Sequence, residues 1–201
     1  NIDKNLFEPP FVLFKKGQKN RKLTASYIDY FAYCTTACYV FSGNVESDEK
    51  KALTAIFNSK ITTYILFMVS SSWGIEREQI FMDEVMDIPA IINLLNQENL
   101  SKIVGHFDEI MSGIKSDFLK KDYSQLEEKI DKVILKDVLG MTDREMVIIN
   151  DSLEYSLDLF ENKQKSKALF PITSVTEYAK RISSELNEFL QNQEIACRAT
   201  I

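Results

Sequence analysis

Five basic side chains fall within eight positions near the start of the chain: Lys15, Lys16, Lys19, Arg21 and Lys22, in the run KKGQKNRK. A cluster of this kind holds phosphate oxygens or another polyanion, and Asn20 adds a neutral donor. The alternative is a solvated turn, since Lys and Arg at strand ends also protect sheet edges. A second stretch, SSSWGIEREQ at 70–79, contains Ser71, Ser72, the chain's one tryptophan at Trp73, Arg77 and Gln79. Its hydroxyl, guanidinium and amide groups are the kinds that exchange hydrogen bonds with base edges. Trp73 has two readings, a wedge against a base or sugar and a packing plug beneath its own loop.

The patterns of a catalyst are missing. The chain has no GxGxxG, GxxxxGK[ST], HExxH or GxSxG motif. Its single histidine, His106, falls beside a helical apolar stripe rather than on a loop. Three cysteines, Cys34, Cys38 and Cys197, are an odd number with no CxxC pair. That argues against a disulfide framework and a zinc site, and for a reducing cytoplasm. We therefore expect no catalytic residue and no metal or cofactor site in this chain.

Hydrophobic content of 45% and charged content of 27% are ordinary for a globular chain of 201 residues. The formal net charge of -6 argues against a general polyanion binder. Residues 1–90 carry 10 basic and 11 acidic side chains, whereas residues 91–201 carry 14 and 19, so the acidity lies in the second half. A local basic patch matters more for phosphate contact than the total does. No apolar window approaches the length of a membrane span. The chain lacks a starting Met, and EIACRATI at its end reads as a strand cut short, so a piece of a longer protein is expected.

Short elements must position these groups. Phe11 to Phe14 reads as a buried strand, the basic run as a turn, and Leu23 to Ile28 as the return strand of a hairpin. Tyr27 to Phe41 is rich in aromatic and β-favouring residues and reads as strand, its rings mostly sheet core, though exposed ones could stack on bases. Ser47 and Asp48 offer caps for one amphipathic helix whose stripe is Leu53, Ile56, Phe57, Ile61, Tyr64, Ile65 and Met68. Asn58 interrupts its opposite face, as a surface or polar-network residue. The Ser-rich loop follows, then a short extended piece closed by Pro89. After Pro89 the pattern is helical. Leu100, Ile103, Val104, Phe107, Ile110, Met111 and Ile114 form a narrow stripe suited to pairing with another helix. Three capping boxes, Ser124 with Glu127, Thr142 with Glu145 and Ser174 with Glu177, open further helices, with Gly140 and Pro171 between them.

The fold class expected is α+β: a sheet-containing unit over 1–89 followed by a mainly helical region over 90–201. The stretch AIFNSKITTYILFMVSSSWGIEREQIFMDEVMDIP resembles the target-recognition region of adenine-specific DNA methyltransferases of restriction-modification systems. In that family a recognition domain ends in a helix of the form "l..ilNSkl..y", here Leu53 to Tyr64, then a loop and a short strand closed by "lP", here Ile88 and Pro89. FEPPFVLFKKGQKNRKLTASYIDY looks like the family's entry strands, and KIDKVILKDVLGMTDREMVIIND like the helical segment that follows its recognition domains. Together these cover about residues 8 to 192.

The resemblance implies sequence-specific recognition of double-stranded DNA. Lys15, Lys16, Lys19, Asn20, Arg21 and Lys22 would hold the backbone, and Ser71, Ser72, Trp73, Arg77 and Gln79 would read bases. It implies S-adenosylmethionine for the parent protein rather than for this chain. The family's Phe-x-Gly-x-Gly and Asn-Pro-Pro-Tyr motifs are both absent, and Glu8-Pro9-Pro10 only echoes the second. Methyl transfer then belongs to another domain or subunit. The helices after Pro89 would be a spacer, a homodimer seam or a dock. The rival expectations are a specificity subunit of a multisubunit restriction system and an assembly module that does not touch DNA.

Overall fold

The computed structural model describes residues 7–17, 22–70, 80–117, 122–169 and 174–192, with side chains to 188. It is an α+β fold: a small antiparallel sheet at the N-terminal end, then helices. Strands β1 (Phe11–Lys15), β2 (Ala25–Ile28) and β3 (Cys38–Phe41) lie in the order β2-β1-β3. The expected hairpin is formed by β1 and β2, with Val12 opposite Tyr27 and Phe14 opposite Ala25. On its other side β1 pairs Val12 with Phe41 and Phe14 with Tyr39. This alternation aims Val12, Phe14 and Ala25 at the helices, where Phe14 meets Phe57 at 4.9 Å and Tyr39 at 5.3 Å.

The aromatic stretch is only partly strand. Residues 29–37 between β2 and β3 are irregular, and Tyr30, Phe31 and Tyr33 are each more than half exposed. Tyr27, Tyr39 and Phe41 do pack on the core. To reach β3 the connection must pass β1 from one sheet edge to the other. A third neighbouring strand in its place would have needed a tight turn.

The single helix expected after Ser47 is two. Helices α1 (Ser47–Phe57) and α2 (Lys60–Val69) meet at a 57° bend. Ser59 adopts extended backbone there and caps α2, its hydroxyl receiving the Thr62 N–H. The apolar stripe hid the break because α1 and α2 each bury their own face; Leu53, Ile56, Phe57 and Ile61 are buried, whereas Met68 is exposed. Ser47 is not the cap of α1. Its hydroxyl pairs with Tyr27 Oη at 2.7 Å, and Glu49 closes the turn by accepting the Glu46 N–H at 2.9 Å.

The extended piece before Pro89 is also helical: α3 (Met82–Val85), then a 3-10 segment (Ile88–Leu94) with Pro89 in its first turn. Glu84 accepts the Phe81 N–H at 2.9 Å and starts α3, and Pro89 fits a first turn because it has no N–H to leave unpaired. Helices α4 (Gln97–Ser116), α5 (Ser124–Lys132), α6 (Asp143–Asp151), α7 (Leu157–Asn162) and α8 (Val175–Asn192) follow. A π-helical turn extends α5 over Val133–Val138, and another joins α6 to α7 over Ser152–Ser156. The first is relieved by Asn99, which donates to the Asp137 carbonyl at 3.3 Å, and by Gly140, whose φ of 65° lets the chain turn away.

Of the three capping boxes, Thr142 with Glu145 is complete. Ser174 accepts the Glu177 N–H at 3.3 Å. Ser124 with Glu127 is not formed: Asp122 takes both the N–H and the hydroxyl of Ser124, at 3.1 and 2.7 Å. Glu127 is turned instead to Lys22. One buried cluster runs from Val12 through α1 and α4 to Ile130, Ile134 and Ile149, and so crosses Pro89. The α4 stripe faces α1 and α5 within the chain, with Ile103, Val104 and Phe107 buried. Among the described residues no single helix is long and apolar enough to cross a membrane.

Candidate nucleic-acid interface

Asn58, Ser59 and Lys60 bind the sheet to the helices. β2 is an edge strand, so the backbone of Ala25 points away from β1. Asn58 supplies the missing partner: Oδ1 accepts the Ala25 N–H at 3.0 Å and Nδ2 donates to the Ala25 carbonyl at 2.9 Å. The second Nδ2 hydrogen goes to the Thr54 carbonyl at 3.0 Å. Only a carboxamide offers an acceptor and two donors in this geometry. Lys60 donates its N–H to Asp131 at 2.9 Å and its ammonium to Asn150 Oδ1 at 3.0 Å. Asn58 is therefore the polar-network residue of the two alternatives.

This frame sets where the candidate DNA-contacting segments begin and end. Lys15 is exposed at the end of β1, and Lys16 lies over the Tyr39 ring at 4.5 Å. Neither has an acidic partner among the described residues. Lys22 is half exposed and paired with Glu127 at 2.7 Å. Lys19, Asn20 and Arg21 lie outside the described residues, as do Ser71, Ser72, Trp73, Arg77 and Gln79. Their flanks are described. The chain re-emerges at Ile80, whose N–H donates to the Lys16 carbonyl at 2.8 Å and whose carbonyl accepts Tyr39 Oη at 3.4 Å. Ile80 is thus held beside Lys16 at the end of β1.

An aromatic cluster that includes Phe31 and Tyr33 of the aromatic stretch lies on the other sheet face. Phe11 is buried under Phe7, with ring centroids 6.2 Å apart; Phe7 touches Tyr33 at 5.3 Å, and Tyr33 touches Phe31 at 5.0 Å. Exposed rings of this kind suit stacking on bases or apolar partners. Nearby, burial and the adjacent Cys38 push the Cys34 thiol up, away from the thiolate that nucleophilic or metal chemistry needs. Among the described residues no group of His, Cys, Asp or Glu side chains is placed to hold a metal.

Asp131 is the perturbed acid of the fold. Burial pushes its carboxyl up to about 6, against the opposing pull of the Lys60 N–H and of the Lys60 and Lys22 charges. One of its oxygens accepts the Lys60 N–H at the start of α2, and the Glu127 charge adds to the upward push. Comparison with protein families, with curated proteins and with solved structures finds no match.

Proposed function

We propose that this chain is the DNA-recognition module of an adenine-specific methyltransferase of a restriction-modification system, working in the cytoplasm. Lys15, Lys16, Lys19, Asn20, Arg21 and Lys22 hold phosphates; Ser71, Ser72, Trp73, Arg77 and Gln79 read base edges. What supports the reading is the bond from the Ile80 N–H to the Lys16 carbonyl. It holds Ile80, the residue after the segment with Trp73, beside Lys16, the second lysine of the basic run. Phosphate contact at Lys22 competes with Glu127, an exposed pair of small worth. Methyl transfer and S-adenosylmethionine belong to a catalytic domain or subunit outside these residues, which flips the adenine while this module clamps the duplex.

The helical half carries exposed apolar side chains, among them Val147, Ile148, Leu159, Phe160 and Tyr178. They favour docking to that catalytic partner, and they equally support a pure assembly module. Selection from a pool of random duplexes, followed by sequencing, separates the two. Enrichment of one short motif supports the recognition module. No retention at about 50 mM salt removes it in favour of assembly.

A further inference from the structure

A cleft of about 390 Å³ lies between the β2 edge, α1, α4 and α5. Its size is within the range of small-molecule sites. The walls are apolar and partly aromatic: Tyr27 and Phe107 meet edge to face at 6.3 Å, and Ile110 and Met111 extend the surface along α4. Its polar groups are few. Thr54, Asn58 and Ser59 line it, but their hydrogen-bonding groups are engaged with backbone. Asp131 is different. It is only 8% exposed, and one oxygen accepts the Lys60 N–H. The other, Oδ2, has no hydrogen-bond partner among the described residues.

Charge narrows what this cleft can take. Lys22, Glu127 and Asp131 line it. Lys22 and Glu127 cancel by pairing with each other. The Lys60 ammonium, which also bears on Asp131, is directed to Asn150. Asp131 thus lines an apolar cleft with one oxygen open, its charge opposed through space by Lys60 and Lys22 but paired directly with neither. A largely buried carboxylate is costly when ionised, and a cation that donates to its open oxygen offsets part of that cost. An anion would face the Asp131 and Glu127 carboxylates, and a neutral apolar molecule offers Oδ2 no donor.

We propose that this cleft binds a small organic cation, a primary ammonium on an apolar body of ring size, with the ammonium donating to Asp131 Oδ2 and the body against Tyr27, Phe107 and Met111. This lies outside the DNA-recognition reading and stands without it. The test is titration of the full chain, by NMR or calorimetry at pH 7.5, with phenethylamine, phenethyl alcohol and 3-phenylpropanoate. The amine binds at least about tenfold more tightly than the alcohol, and the carboxylate does not bind. Asp131→Asn keeps an acceptor for the Lys60 N–H and brings the amine down to the level of the alcohol. Met111→Trp fills the cleft and abolishes binding of both. Equal affinity of amine and alcohol for the unmodified chain, no saturable binding of any probe, or an amine preference that survives Asp131→Asn overturns the proposal.

Discussion

Asn58 satisfies an exposed strand edge and a helix end with one amide. Replacing it by Ala strands the N–H and carbonyl of Ala25 and costs about 2–4 kcal/mol in urea unfolding. Asn58→Asp costs as much, because a carboxylate donates nothing to the Ala25 and Thr54 carbonyls. Asp131 gives a pH signature. Its folded value of about 6 lies above the ordinary 3.8, so folding favours the protonated acid. The stability it lends is complete below pH 3.8, declines as pH rises through about 6, and falls by about 3 kcal/mol overall. Asp131→Asn therefore raises stability by about 2–3 kcal/mol at pH 8 relative to its effect at pH 4, where it is near neutral, measured by urea unfolding. The sequence marked Asn58 as an interruption of a helix. It could not show the partner, because Ala25 lies 33 positions away and edge status is a property of the sheet.

At the scale of elements, local signals succeeded where their partners were local. The Thr142 and Glu145 box is closed by bonds spanning three positions, and Thr142→Ala costs about 1 kcal/mol. Ser124 has the same spacing to Glu127, yet its hydroxyl serves Asp122 and Glu127 goes to Lys22, 105 positions away. Ser124→Ala accordingly shifts the unfolding midpoint by less than about 0.5 kcal/mol. A loss equal to that of Thr142→Ala would show that Ser124 caps α5 after all. The same contrast explains the helix break. Asn58-Ser59 was legible as polar chemistry, but the apolar period ran across it unbroken, so α1 and α2 read as one. The two π-helical turns left no signal in the apolar period; the first is met by the tertiary bond from Asn99 to the Asp137 carbonyl.

For the whole molecule, the α+β class followed from period: short alternating segments first, then stripes of three and four. The buried cluster joining Val12 to Ile149 was not foreseeable from composition, because it depends on α1 lying between the sheet and α4. At the end of β1, the Ile80 N–H is bonded to the Lys16 carbonyl. The most direct test is the dependence of duplex affinity on salt, for the full chain, between about 50 and 200 mM. With four or more phosphates held by the Lys15 to Lys22 cluster, log affinity falls against log salt with a slope of about -3.6 or steeper. Lys15→Glu with Lys16→Glu flattens it. A slope near zero in the unmodified chain, or no binding at the lower salt, would contradict the account.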